Sequence, residues 1–229
     1  MLIIIAISLL VALWLIVQHV RDRKLLNTVT KPYRGTKTER NLVVKLLKHG
    51  VPAQTIFHDL YVKNNQGNFS QIDLVVATKV GIIVFEVKEM QGWIFGSGNH
   101  QQWTQVLASG KKKYRFYNPI RQNNSHISQL KKQLVQFEAI PFYSIIVFYG
   151  KCSLKEVNYV PQGTLLVKSK RVLEAFRKVM TENAPAQYTN KKDVVRVLEE
   201  AVRNGENPEN TTRHIEHIRD VLGKERIFD

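Results

Sequence analysis

Apolar and polar positions divide the chain into one unbroken apolar run, several β-type runs in its middle, and helical periodicities between and after them. Residues 2 to 17 are uncharged and almost wholly apolar, and the uncharged run continues through Val20, long enough for a helix to span a bilayer. A polar, basic stretch with Pro32 follows and reads as a linker. Thr36-Lys37-Thr38-Glu39 fits a capping box, and Leu42, Val43, Leu46 and Leu47 line one face of the helix it opens. Gly50 and Pro52 end that helix. Thr55 to Val62 predicts a strand and Asn64 to Asn68 a turn. From Ile72 to Lys88 two runs rich in Val, Ile, Leu and Phe meet at Thr78-Lys79-Val80-Gly81, the pattern of a β-hairpin.

Beyond the hairpin, Gly92, Trp93, Gly96, Gly98 and Trp103 suggest a further short hairpin at the sheet edge, with the tryptophans in the core. Asn118 and Pro119 suit an N-cap and first helical position, with Ile127, Leu130, Leu134 and Phe137 as the buried stripe. Gln122, His126, Gln129 and Gln133 form a polar stripe beside it, which as a bland alternative is a solvated face. Tyr143 to Tyr149 reads as a central strand buried on both faces. Leu165 to Lys168 adds an edge strand, and residues 170–180 and 191–203 read as helices, the second capped by Asn190. On a last short helix His214 and His217 could touch a metal, a weak pattern with no carboxylate or cysteine partner nearby. The succession of helix, three strands, helix and strand predicts an α/β fold around a mixed sheet. The expected division is an anchor at 1–20, a basic linker at 21–33, a core domain at 34–150, and a C-terminal strand and helices of unassigned role at 151–229.

Charge adds partners to this picture. Thirty-four Lys and Arg against nineteen Asp and Glu leave +15, which favours nucleic acid or an anionic membrane surface. The single cysteine, Cys152, excludes an internal disulfide and a multi-cysteine zinc site and suits a reducing compartment. The N-terminal run has neither the basic start nor the small-residue cleavage site of a signal peptide, so a retained single-pass anchor is expected. Arg21, Arg23, Lys24, Lys31, Arg34 and Lys37 follow it, which by the positive-inside rule places the chain from about residue 21 onward in the cytoplasm of a cell-membrane protein. A buried soluble helix is the alternative.

Three charges inside the apolar hairpin are the candidate chemistry. Glu86 and Lys88, two apart, project from one face of their strand. With an even loop centred on Lys79 and Val80, Asp73 lies across from Glu86, their Cβ atoms about 5 Å apart. Two carboxylates so close repel unless a cation or proton intervenes, and oxygen ligands with a lysine beside them suit Mg²⁺ or Mn²⁺. A three-residue loop would instead pair Asp73 with Val87, and a further slip would allow an Asp73–Lys88 salt bridge. Glu39 reads either as part of the helix cap or as an extra ligand to metal or water. From Met90 to Phe137 there is no acidic residue, while Lys111, Lys112, Lys113, Arg115 and Arg121 stand among Tyr114, Phe116 and Tyr117. Such a segment can neutralise phosphates and stack bases, although lysine runs are also ordinary solvated surface, or a face toward anionic lipid.

Taken together, Asp73, Glu86 and Lys88 in the pattern Asp-x12-Glu-x-Lys resemble the PD-(D/E)XK nuclease superfamily, with its restriction-endonuclease-like core. The closer resemblance is to the nuclease-related domain, NERD. It is carried by Gly35 to Glu39, Ile72-Asp73, Glu86-Val87-Lys88, Gly92 with Trp103, and Asn118-Pro119 with Gln122 and His126, in that order, over roughly residues 34 to 150. Gln71-Ile72 stands where the superfamily name has Pro before its Asp. The resemblance implies a Mg²⁺-dependent (or Mn²⁺-dependent) phosphodiester hydrolase acting on DNA. Asp73 and Glu86 would be metal ligands, Lys88 would position water or stabilise charge on phosphorus, Glu39 would be an auxiliary ligand, and Gln122 would orient phosphate or water. Lys111, Lys112, Lys113, Arg115 and Arg121 would hold the nucleic-acid backbone. The alternative is a non-catalytic, membrane-tethered module that binds nucleic acid or a protein partner.

Overall fold

The computed structural model describes residues 2–64, 67–107 and 110–216. Asn65 and Gln66 of the expected turn, and His217 of the histidine pair, lie outside these residues. In chain order the elements are α1 (Leu2–Leu26), α2 (Lys37–Lys48), β1 (Ile56–Lys63), β2 (Phe69–Thr78), β3 (Gly81–Glu89), β4 (Gly92–Ser97), β5 (Gln102–Leu107), β6 (Lys112–Tyr117), α3 (Pro119–Lys131), β7 (Phe142–Tyr149), β8 (Cys152–Asn158), β9 (Thr164–Lys168), α4 (Val172–Glu182) and α5 (Lys191–Asn204).

The architecture is mixed α/β. Strands β1, β2 and β3 form an antiparallel meander, and β7 and β9 extend it in parallel to give a five-stranded sheet in the order β1-β2-β3-β7-β9. Alternation along β3 supplies both faces. Ile83, Phe85 and Val87 join a core with Leu42, Val43 and Leu46 of α2 and Val172, Phe176 and Val179 of α4. Ile82 and Val84 face the opposite way, toward Leu130 of α3 and Val194, Leu198 and Ala201 of α5. The continuous apolar run of β7 is explained by its central place, covered on both faces.

Gly92 to Leu107 is a hairpin as expected, but it belongs to a second, four-stranded sheet, β6-β5-β4-β8, rather than to the edge of the first. A core of Ile94, Trp103, Ile120, Ile146 and Phe148 joins the two sheets. Trp103 is buried, stacks on Phe148 with ring centroids 6.4 Å apart, and donates its indole N–H to the Ser97 carbonyl at 2.9 Å. A Cβ at Gly96 would collide with its ring. Trp93 is exposed instead, beneath the Lys155 ammonium.

Asn118 ties this second sheet to α3. Its side chain is fully buried, accepts from the Ile120 and Arg121 amides, and donates toward the carbonyls of Ser97, Gly98 and His100. Asn118→Ala removes an N-cap and orphans buried carbonyls together. It is expected to destabilise the protein by about 2–4 kcal/mol, read as a lowered denaturant midpoint at unchanged slope.

The C-terminal third completes the main core. Residues of β9, α4 and α5 pack into both faces of the five-stranded sheet, and Arg34 donates from Nη1 to the Val202 carbonyl at 3.0 Å. Helix α1 runs on to Leu26, shortening the expected linker from its N-terminal side, because nothing between Arg21 and Leu26 breaks a helix. Its outer part presents apolar side chains to the surroundings, with Ile4 72%, Leu10 67% and Trp14 60% exposed. Among the described residues, which leave out the side chains at positions 2, 3 and 6, no helix is long and apolar enough to cross a membrane.

Candidate active site

Two residues, Lys79 and Val80, turn the chain between β2 and β3, and the pairing runs from Thr78 with Gly81 to Leu74 with Phe85. The Thr78 hydroxyl closes the turn, donating to the Gly81 carbonyl at 2.8 Å. Gly81 has φ +138°, and a Cβ there would strike the Pro141 carbonyl. This is the even loop, and its register sets Asp73 across from Glu86. Lys88 accordingly pairs with Glu86 on its own strand rather than with Asp73 across the hairpin.

Past Leu74 and Phe85 the ladder stops. The Val87 amide donates to Oδ2 of Asp73 at 2.7 Å, so a side-chain carboxylate takes the acceptor position that a carbonyl of β2 would otherwise fill. Asp73 is thereby held at the seam where β2 leaves β3. On its other side β1 is irregular too: Asp59 has φ +58° and lies unpaired between the His58–Leu74 and Leu60–Ile72 partners. An aspartate in this left-handed conformation is held by neighbours. Arg34 pairs with its Oδ2 at 3.0 Å and its carbonyl at 2.6 Å, and Gln71 donates to Oδ1 at 2.8 Å.

Glu86 is 1% exposed and sits between a cation and an imidazole: Lys88 Nζ is 2.7 Å from Oε1, and His126 Nε2 is 3.4 Å from Oε2 without hydrogen-bond alignment. Helix α3 supplies the outer half of this cluster. Lys88 donates to Gln122 Oε1 at 2.9 Å, and one turn later His126 contacts the Ser70 hydroxyl through Nδ1 at 3.1 Å. Glu39 has a parallel arrangement. Thr36 donates to its Oε1 at 2.6 Å and receives its backbone N–H at 3.3 Å, while His58 Nε2 stands 3.4 Å from Oε2. The expected cap is therefore real, and the buried Oε2 is left with the His58 contact but no aligned hydrogen bond. Gly35, at φ +59°, leaves room for that oxygen and the His58 ring, both of which a Cβ would meet.

The electrostatics divide the three carboxyls. Desolvation, followed by the charges of Glu86 and Glu39, pushes Asp73 well above the usual carboxylate range. For Glu86 burial works in the same direction, but the His126 contact and the Lys88 charge outweigh it and hold the pKa low. Glu39 is likewise held low against burial by His58 and Thr36. A site with two ionised carboxylates and a third resisting ionisation is short of positive charge.

Among the described residues no group of three or more His, Cys, Asp and Glu is arranged to hold a metal ion. The donor chemistry nonetheless fits a hard divalent cation, because Mg²⁺ retains waters and takes only one or two protein carboxylates. Oε2 of Glu86 and Oε2 of Glu39 are buried, make no aligned hydrogen bond and each face an imidazole Nε2 at 3.4 Å, and a nearby cation would complete the coordination of such atoms.

The fold thus brings together Asp73, Glu86, Lys88 and Gln122, with Glu39 close enough to act on Asp73 electrostatically. Lys111, Lys112, Lys113 and Arg115 are placed apart from them, exposed on or beside β6, an edge strand of the second sheet. Arg121, also exposed, is on α3 beside Gln122. Two residues given no role by the sequence reading complete the cluster. His126 is named there, four residues after Gln122 on the polar stripe and in the family pattern, without a part in the chemistry. His58 had only the weaker signal of an imidazole in an apolar strand.

An uncharacterized protein of Bacillus anthracis is 34% identical over 137 residues, 58% of this chain and 63% of its own length. The matched region therefore spans less than two thirds of that relative. No solved structure matches the chain significantly. Residues 34–149 match the nuclease-related domain, the stretch that holds Glu39, Asp73, Glu86, Lys88, Gln122 and His126, and the chain belongs to the nuclease-related domain (NERD) family.

Proposed function

We propose that this protein is a membrane-anchored, metal-dependent phosphodiester hydrolase that acts on DNA from a restriction-endonuclease-like core. The observation that carries this reading is the meeting of Asp73, Glu86 and Lys88 where β2 leaves β3. Asp73 and Glu86 would hold Mg²⁺ or Mn²⁺, with Glu39 as an auxiliary ligand. Bound there, the cation supplies Lewis-acid polarisation of the phosphodiester and a water of lowered pKa.

The chain's own groups do the positioning. Lys88, steadied by Glu86 and Gln122, presents a cation to the attacking water or to charge developing on phosphorus. Gln122 keeps an amide N–H₂ for a phosphate oxygen while its Oε1 accepts from Lys88. Burial of Glu86 and His126 keeps bulk water from the inner side of the cluster. Exposed Lys111, Lys112, Lys113, Arg115 and Arg121 would hold the backbone of the nucleic acid in a salt-sensitive way.

Anchoring rests on the uncharged run from residue 2 to Val20 and on the outward-facing apolar side chains of α1. By the positive-inside rule, Arg21, Arg23 and Lys24 at its end would put the nuclease-like domain on the cytoplasmic side of the cell membrane.

Full-length protein is expected to nick supercoiled plasmid with Mg²⁺ or Mn²⁺ and to lose that activity on chelation. Nicking undiminished by chelator would overturn the metal-dependent reading. The short Lys88–Glu86 contact also suits a non-catalytic module that tethers nucleic acid to the membrane. Salt-sensitive DNA binding without nicking under either cation would favour that second reading.

A further inference from the structure

Away from the carboxylate cluster, a groove of about 880 Å³ lies where the C-terminal end of α1 meets α2 and α4. Its walls carry Arg23, Lys37, Arg40, Lys45 and Lys48 against one acid, Asp22. Lys48 donates to Asp22 at 2.7 Å and so spends the only negative charge on one of the five cations. Arg23 and Lys37 are exposed and have no carboxylate partner among the described residues. Beneath this charged rim Leu26, Val44 and Leu173 give the groove an apolar floor.

The charges follow from helix periodicity. Lys37, Arg40, Val44 and Lys48 recur at steps of three and four along α2, opposite the face on which Glu39, Leu42, Val43 and Leu46 are buried. One helix thus serves two separate surfaces, the carboxylate cluster inward and the groove outward. Leu26 belongs to the main core, so the end of α1 is fixed against the domain and the groove is part of the fold.

Position identifies the occupant. The uncharged run ends at Val20, and Asp22 and Arg23 follow within about 5 Å of helix rise. The polar layer of one leaflet is about 5–7 Å deep outside the hydrocarbon. A helix spanning the bilayer would therefore hold the groove's mouth at headgroup depth. Arg40 donates to the Arg34 and Gly35 carbonyls and Lys45 to the Ser169 carbonyl, which leaves Arg23 and Lys37. Two such cations over an apolar floor suit a ligand with an anionic phosphate and an attached hydrocarbon chain, whereas a nucleic-acid backbone offers no such chain.

We infer that the groove between α1, α2 and α4 is a binding site for an anionic glycerophospholipid, whose headgroup phosphate is held by Arg23 and Lys37 while its glycerol and upper acyl carbons lie against Leu26, Val44 and Leu173. The assignment rests on the membrane-anchored reading of α1, and the lipid would lock the angle between anchor and nuclease-like domain.

The test uses full-length protein throughout. Flotation with pure phosphatidylcholine vesicles reads the anchor alone, and failure there overturns both the anchor and the groove. In neutral detergent micelles titrated with phosphatidylglycerol, native mass spectrometry is expected to show one retained lipid, and phosphatidylcholine at equal concentration none. Arg23→Gln with Lys37→Gln, both at exposed positions that leave the core intact, is expected to lower phosphatidylglycerol affinity roughly 25-fold, about fivefold per cation, while flotation on phosphatidylcholine is unchanged. Unaltered phosphatidylglycerol retention in the double variant would overturn the groove assignment and leave the anchor standing. Displacement of the lipid by inorganic phosphate at the same concentration would also overturn it, marking a free-phosphate site instead.

Discussion

Lys88→Ala is expected to slow metal-dependent cleavage by about 10²–10³-fold, the cost of removing one preorganised cationic donor from a site where charge develops. Lys88 joins the strand half of the cluster to the helix half through two short polar contacts, at 2.7 Å from Glu86 and 2.9 Å from Gln122. Its removal takes away the cation proposed to act on the phosphate and frees both neighbours to turn. DNA affinity should hold within a few-fold, because one charge among many exposed lysines and arginines contributes little to backbone binding. Single-turnover cleavage measured beside equilibrium binding separates the two effects. A purely structural Lys88 would show the opposite split, a lower melting temperature with cleavage per folded molecule unchanged. Lys88→Arg keeps the charge but alters its reach, and is expected to recover only part of the rate.

The hairpin at the centre of this site was legible in the sequence because its signals agreed. Two β-branched runs and a two-residue turn before a glycine left few registers, and the structure adopts the one that opposes Asp73 to Glu86. Asn118 and Asn190 were legible as caps for the same reason, a short polar side chain placed just before a helical stripe. Strands β6 and β8 were not. Lys112 to Arg115 show no buried alternation, since β6 is an edge strand exposed on both faces, and its pairing with β5 supplies the order that its own pattern lacks. Leu134 and Phe137 keep helical spacing beyond the end of α3 at Lys131, but reach the same core from an extended residue and from the short 3₁₀ turn that follows it, Val135–Glu138. Spacing identified the buried face correctly and the element wrongly. His58 eluded the sequence for another reason: its partner Glu39 is on a different element, and no local pattern links them.

The last expectation concerns Asp73, the one of the three clustered carboxyls that the fold resists ionising. Its folded pKa is raised, so the protonated form is favoured in the native state. The stability this contributes is fully present below the ordinary carboxylate pKa and is lost as pH rises through the raised folded value. Glu86 and Glu39 act with the opposite sign. Their folded pKa values are lowered, so their contribution is present above the ordinary range and is lost as pH falls through the lowered values. Metal-free protein should therefore lose stability on the acid side through the two glutamates, and on the other side, above the ordinary carboxylate range, through Asp73. Asp73→Asn retains an oxygen to accept from the Val87 amide while deleting the charge. At neutral pH without metal it is expected to stabilise the fold by roughly 1–3 kcal/mol, the scale of the Coulomb repulsion between carboxylates on residues whose Cβ atoms lie about 5 Å apart. The same variant should lose cleavage, and the rise in melting temperature that Mg²⁺ or Mn²⁺ gives the wild type should vanish with it. Thermal melts across pH, with and without cation, read all three outcomes. A destabilised Asp73→Asn that still gained stability from Mg²⁺ would remove Asp73 from the metal site. A stabilised but inactive one would show that the strain of opposed carboxylates at this seam is what the bound cation relieves.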